Sequence, residues 1–280
     1  MRSLRARKLL NALVTLTCGA CVFAALVPLL STLWLVVSNG LSGLSLHFFT
    51  HLPAPVGEEG GGVGNAILGT LLIVGIACLL GLPMGIGAGV FLAERGDGRF
   101  GRLVRFTAEV LAGVPSIVVG IVAYDLVVKP MGHFSALAGG VGLSLLMVPT
   151  LARGTEELVR LVPNTLREAA LALGVPQWRT SLSVILRTAL GGILTAVLLA
   201  VGRAAGETAP LLFTALNNAY WNVRPDLPTA TLTVQMFNYA ISPYEDWHRK
   251  AWATALVLLL LIGALNLLAR FLTRKTFRAR

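Results

Sequence analysis

Charge is scarce in this sequence. Only 13% of its 280 residues are Asp, Glu, Lys or Arg, about half of the ~25% found in an average soluble domain. Lysines number four, and none of them follows a glycine, so no loop holds the Gly-Lys pair with which nucleotide phosphates are cradled. Cysteine is nearly absent too. Cys18, Cys21 and Cys78 all fall inside apolar runs, which excludes a disulfide-stapled secreted domain and leaves the CxxC of Cys18 and Cys21 without the polar access that a redox or metal pair needs. The four histidines lie outside the apolar cores or at their edges, so the runs contain no nucleophile-and-base set for intramembrane catalysis. What fills the space is apolar: 55% of residues are hydrophobic, and Leu9 to Gly57, Gly60 to Ala93, Pro130 to Ala152, Thr188 to Gly202 and Ala251 to Ala269 carry no charge. Several of these runs exceed the ~20 residues that cross a bilayer. The chain is read as an all-α, polytopic membrane bundle.

Six spans are expected, at roughly 12–37, 65–92, 103–128, 134–155, 189–216 and 252–272. The first follows a basic start, MRSLRARK, but its apolar part of about 26 residues is too long for a cleaved signal, so it is an uncleaved span. The net charge of +10 would suggest nucleic acid in a soluble protein. Here the basic residues punctuate apolar runs without a continuous patch or interleaved aromatics, and no nucleic-acid partner is expected. They set topology instead. Arg2, Arg5, Arg7 and Lys8, the turn from Arg95 to Arg105, the stretch from Arg153 to Arg187 and the tail from Arg270 to Arg280 place 18 of 23 basic residues on one side, against Lys129, Arg224, Arg249 and Lys250 on the other. The positive-inside rule makes the first side cytoplasmic, with both termini there.

Outside, residues 38–64 read as a flexible exported connector containing HFFTHLPAP and GEEGGGVG. His47 and His51 stand at i and i+4 without a third ligand nearby, which suits an interfacial turn. Within the spans, Gly81, Gly85 and Gly89, and Gly139, Gly140 and Gly142, recur at spacings that let helix backbones approach closely in lipid.

One connection is unusually coherent. VPNTLREAALALGVPQWRTSLSVILRTALGG follows the fourth span, and Thr165 to Glu168 reads T-x-x-E, a capping box that starts a helix. Gly174 suits the residue just past a helix end, and Pro176 suits the first turn of the next. The expected product is a short helix, a sharp turn and a second helix leading into the membrane. As local chemistry this is equally an ordinary cytoplasmic hairpin.

Glu168, Ala169, Ala170 and Gly174 resemble the EAA-x-x-x-G signature of permease subunits of ATP-binding-cassette importers, though Arg187 stands where that signature usually has proline. AGVPSIVVG at 112–120, RLVPNTLREAALALG at 160–174, RAAGETAPLLFTALNN from Arg203, and SPYEDW at 242–247 are similar to the PstA-type family of phosphate-specific permeases over nearly the whole chain from about residue 57. The resemblance implies a type I importer permease fold. It also implies that Glu168, Ala169, Ala170 and Gly174 form the ATPase coupling element, that a homologous second permease and an external phosphate-binding protein are partners, and that two ATPase subunits bind the ATP and Mg, so this chain needs no cofactor and catalyses nothing. The implied division is 1–64 as first helix and connector, 65–272 as permease core with a cytoplasmic loop at about 156–187, and 273–280 as a basic tail.

Two charges stand inside the fifth apolar segment. Arg203 is near its midpoint, with Glu207 one turn on. An arginine at bilayer depth costs at least ~2.5 kcal/mol, so it faces a bundle interior or a cavity. Glu207 either neutralises it structurally or exchanges with an anion that the guanidinium fork grips; the two are compatible. Thr208 and Ser116 complete the candidate substrate path. Pro115 either kinks the third span for packing or exposes backbone N–H groups near Ser116 to an anion. Glu109 and Asp125 are expected to cap or pair between helices. Another oxyanion, such as molybdate or sulfate, and a mainly signalling or scaffold role are the alternatives to phosphate import.

Overall fold

The computed structural model describes residues 4–55, 58 and 60–278. The predicted basic residues Arg2 and Arg280, and Val56, Gly57 and Glu59 of the connector, lie outside them. Helix α1 is Leu4–Leu41, α2 is Leu46–Thr50, α3 is Gly64–Arg95 and α4 is Arg99–Gly113. Then come α5, Ser116–Met131, with a π-helical turn at Tyr124–Val128, and α6, Ala136–Arg160. Helix α7 is Asn164–Ala172, and α8 is Gln177–Ala205 with a π-turn at Ser181–Ile185. Helices α9, Ala209–Leu212, α10, Leu232–Ala240, and α11, Glu245–Arg278, complete the chain. Five of these helices, α1, α3, α6, α8 and α11, are long and apolar enough to cross a membrane, and α4 with α5 forms a sixth, bent candidate.

The centre of the bundle is the pair α3 and α6, which packs along its whole length. Its closeness has a direct cause in the glycine stripe: a Cβ on Gly85 would lie 2.6 Å from Leu151 Cβ, and one on Gly89 would lie 2.5 Å from Thr155 Cβ. Only glycine permits that approach, and close packing is what holds helices together where lipid is as apolar as the side chains. Ile73, Ala77, Leu143, Met147 and Leu151 are buried there together with Ala200 and Ala204 of α8. A second cluster covers the end where α3 begins, formed by Phe48, Val63, Leu232, Tyr239 and Val257. Cys18 and Cys21 are free and exposed on α1, which leans on α11.

Two expectations need correcting and one is sharpened. The third span, 103–128, expected to kink or break at Pro115, is bent there by 107° between α4 and α5. Proline drives the preceding residue out of the helical region, and Val114 is accordingly extended (φ −71°, ψ 131°). Before the break, α4 carries Arg99, Arg102, Arg105 and Glu109, too polar for lipid on every face. The fifth span is shifted toward the N-terminus. It occupies 177–205 rather than 189–216 and stops at Gly206, so Arg203 lies in its last turn and not at its midpoint. The connector, finally, is folded rather than slack: Gly62 N–H donates to Leu52 O (2.8 Å), Val63 N–H to Phe48 O (2.8 Å) and Gly64 N–H to His51 O (3.1 Å). His47 and His51 stack there, with Thr50 Oγ1 3.0 Å from His51 Nδ1.

Candidate functional site

Two regions gather the residues that sequence singled out. The first is the hairpin of α7 and the start of α8. Helix α7 begins at Asn164, one residue before the expected capping box. Pro163 occupies the cap position with extended ψ, and no side chain caps the helix, so Thr165 is already helical and Thr165 and Glu168 form no box. The stop is as expected. Val175 N–H reaches Ala170 O (3.1 Å), Gly174 N–H reaches Leu171 O (2.9 Å), and Gly174 has φ +77°, the paired bonds and left-handed residue of a Schellman end. Pro176 then caps the first turn of α8.

Within this element Ala170 is buried while Glu168, Ala169 and Gly174 face outward. Around them Leu171, Leu173 and Trp178 are exposed, Leu173 at 84%. The short hairpin thus leaves an apolar face exposed among polar residues. Arg187, at the position where the signature has proline, lies in α8 just past the π-turn; the helix runs through it unbroken.

The second region is the end of α8. Arg203 extends a side chain that is two-thirds exposed, and its Nε is 3.7 Å from Glu207 Oε1, while Glu207 is mostly covered. The i, i+4 pair is therefore present but longer than a hydrogen bond. Helix α8 also presents its negative dipole end to this arginine. Leu146, Met147, Thr150, Ala200 and Ala204 line a small cleft with the pair. Thr208 does not join them. It lines a separate groove of about 700 Å³ with Met236, Phe237, His248 and Trp252. Ser116 opens α5 directly after Pro115; one turn on, Gly120 abuts Pro210, where an added Cβ would be 2.6 Å from the proline Cα. The two broken segments thus touch at Gly120 and Pro210, and Ser116 does not line the cleft of Arg203.

Sequence reasoning missed the neutral polar groups behind Glu207. Thr233 Oγ1 donates to Glu207 O (3.0 Å), and Asn217 Nδ2 donates to Gln235 Oε1 (3.1 Å), leaving Asn217 Oδ1 buried without a partner. It also missed an ion-pair network at the α7 end. Arg105 Nη2 is 2.6 Å and Arg160 Nη2 is 3.1 Å from Glu156 Oε1, and Arg167 pairs with Glu94. Glu109 pairs between helices as expected, 2.8 Å from Arg153, whereas Asp125 pairs within its own helix, 3.4 Å from Lys129. At the other end, the Arg224 guanidinium hydrogen-bonds Asp226 and holds its carboxyl below the usual range. Among the described residues no group of three or more His, Cys, Asp or Glu could hold a metal.

Known proteins share this architecture. A family model described as a binding-protein-dependent transport system inner membrane component matches residues 85–278. Two crystal forms of the MetNI methionine ABC transporter in inward-facing conformations superpose with TM-scores of 0.55 and 0.56 at 20% identity, covering 78% of this chain and 93% of that one. The class so defined is the inner-membrane component of binding-protein-dependent transport systems. Curated relatives narrow it. The phosphate transport system permease protein PstA of Yersinia pestis is 43% identical over 91% of this chain and 89% of its own length, and that of Haemophilus influenzae is 45% identical over 85% and 84%. PstA 1 of Mycobacterium tuberculosis strain H37Rv is 36% identical over 94% and 87%. The chain belongs to the PstA family of phosphate transport system permeases, within the binding-protein-dependent transport inner membrane components.

Proposed function

We propose that this chain is one permease subunit of an ATP-driven phosphate importer in the bacterial inner membrane, with both termini cytoplasmic. The observation that carries the reading is full-length similarity above 40% to phosphate permeases, together with the GETAPLLFTA run placed at the end of α8. The basic asymmetry supports the orientation, since the α7 end gathers the arginines. Residues 65–272 act as the permease core, with 1–64 and 273–280 as additions at either end. A homologous permease completes the path, an external phosphate-binding protein delivers the anion, and two ATPase subunits hold ATP and Mg and hydrolyse in trans. This chain performs no catalysis.

Its own residues have two tasks. Glu168, Ala169, Ala170 and Gly174 shape the face that α7 offers the ATPase, with Leu171, Leu173 and Trp178 as the apolar contact. Because α8 is a single helix of 29 residues, a shift at its first turn is carried over roughly 40 Å to its far end. There Arg203 presents a forked, permanently charged donor set that suits phosphate oxygens. Its loose pairing with Glu207 lets phosphate replace the carboxylate, so that the guanidinium keeps an anionic partner throughout. Ser116 and Thr208 supply short hydroxyl donors at the Pro115 and Gly206 breaks, outside the Arg203 cleft itself. The test is co-purification with the ATPase and partner permease, then ATP hydrolysis and uptake in liposomes with the binding protein outside. Stimulation by phosphate is expected, and stimulation by sulfate or molybdate in its place refutes the assignment.

A further inference from the structure

The hairpin of α7 and α8 must be fastened to the bundle if a push on it is to move anything. The backbone of α7 packs on the π-turn of α8. Its tie to α3 is made by a side chain: Glu94, one residue before the end of α3, accepts on a single oxygen, Oε2, from Arg167 Nη1 of α7 and from Ser181 Oγ of the π-turn (2.9 Å). Arg167 and Ser181 stand on opposite sides of the Gly174 turn, so one carboxylate clasps both arms of the hairpin. The Glu94 side chain is 9% exposed, and its second oxygen, Oε1, is buried with no hydrogen-bond partner. A buried carboxylate used on only one of its two oxygens is costly unless its charge is matched. Here Arg167 matches it, and the idle oxygen leaves a second seat: a small rotation of the guanidinium makes the pair bidentate without breaking it.

We propose that Glu94 is the positioning residue that couples α7 to the α3–α6 pair, a latch that holds both arms of the hairpin while allowing α7 to tilt between one-pronged and two-pronged pairing with Arg167. Movement of α7 then reaches α3 directly, and through the tight contacts of Gly85 and Gly89 it reaches α6. The inference rests on α7 being the face that the ATPase grips.

The full importer complex in liposomes tests it. With Glu94→Ala, assembly and basal ATP hydrolysis persist while phosphate uptake per ATP falls about tenfold, within the range of ordinary coupling free energies. Glu94→Gln keeps two acceptor bonds but not the charge and falls in between, and Ser181→Ala added to Glu94→Ala costs nothing more. Unchanged uptake per ATP in an assembled Glu94→Ala complex overturns the latch. A second measurement needs no phosphate. Spin labels at Thr165, exposed on α7 away from the apolar contact, and at Gly98, with open space around it, are introduced with Cys18, Cys21 and Cys78 replaced by Ala. The distance distribution is narrow in the parent complex and broad in Glu94→Gln, and equally narrow distributions overturn the proposal even where Glu94→Ala does not assemble. A parent complex that phosphate does not stimulate refutes the phosphate reading alone, because the label pair still decides the latch.

Discussion

Gly174 offers a clean separation of backbone strain from steric clash. It ends α7 with φ +77°, and a Cβ built on it meets no atom within 4 Å, so a substituted side chain fits the space and only the left-handed backbone resists it. That conformation costs a residue with a Cβ about 1–2 kcal/mol, while Asn visits it more readily. At about 1.4 kcal/mol per factor of ten, Gly174→Ala leaves the hairpin in its docking geometry about 5–30 times less often, and a β-branched Val at the upper end of that range or beyond. A partner that binds only the competent geometry loses affinity by the same fraction. The assay is the apparent Kd of the ATPase for the permease pair in lipid nanodiscs. The expected order is Gly174, then Asn, then Ala, then Val, with correct membrane insertion throughout. Equal affinity for Gly174→Val and the parent, or a loss with Asn as large as with Val, refutes the argument that this left-handed stop shapes the docking face.

Other outcomes follow from the same geometry. Gly89→Val sets side-chain atoms against Thr155 Cβ, 2.5 Å from the new Cβ, and lowers the midpoint of thermal unfolding in detergent by forcing α3 and α6 apart, at about 1–3 kcal/mol for overpacking; an unchanged midpoint refutes the close approach. Single cysteines at Glu58 and Arg99 in a Cys-free background label from outside and only after permeabilisation, respectively, and the reverse pattern overturns the orientation. Arg203→Met combined with Glu207→Gln removes both charges and is tolerated structurally, giving an assembled complex whose phosphate uptake is near background. Uptake close to the parent level removes Arg203 from the substrate path, whereas Arg203→Lys, which keeps charge but not the fork, retains partial activity.

Where the fold is set by composition over a window, the spans were legible within a few residues. Residues 65–92 and 134–155 match α3 and α6 because long uncharged runs have one stable form in lipid, the helix. Misreadings arose where one residue decides the geometry. The break at Pro115 was legible as a kink but its 107° angle was not, and the charges of α4 were averaged into the third span. The fifth span was misplaced because its helix begins in a polar segment, QWRTS, that a hydropathy window discards. That segment becomes helical because Pro176 starts it and the bundle buries Thr180 and Ile185. The connector seemed slack since its order comes from backbone bonds between residues 47–52 and 62–64, which leave no pattern in side-chain type.

The sites divide along the same line. A helix stop is written in neighbouring residues, so Gly174 and its flanks could be read directly, as could the i, i+4 spacing of Arg203 and Glu207. The latch could not be read that way. Glu94 and Arg167 are 73 positions apart, and the one hint was an acid surrounded by arginines at the end of a span. The structure adds a mechanical consequence to these separate signals. Glu207 lies past the end of α8, so it and Arg203 stand on opposite sides of the Gly206 break, and rotation at that break opens the pair at the cost of the turn bond from Glu207 N–H to Ala204 O (3.2 Å), leaving the helical ladder of α8 before it intact. Glu94 likewise stands next to a helix end, and its partners flank a glycine turn. Arg203 and Glu207 thus straddle one such break and the two partners of Glu94 straddle another, while α8 and the closely packed α3–α6 pair lie between them. Under the proposed function, a displacement passed from the α7 face to the Arg203 cleft calls for that division, with the turns at the two ends and the continuous helices between them.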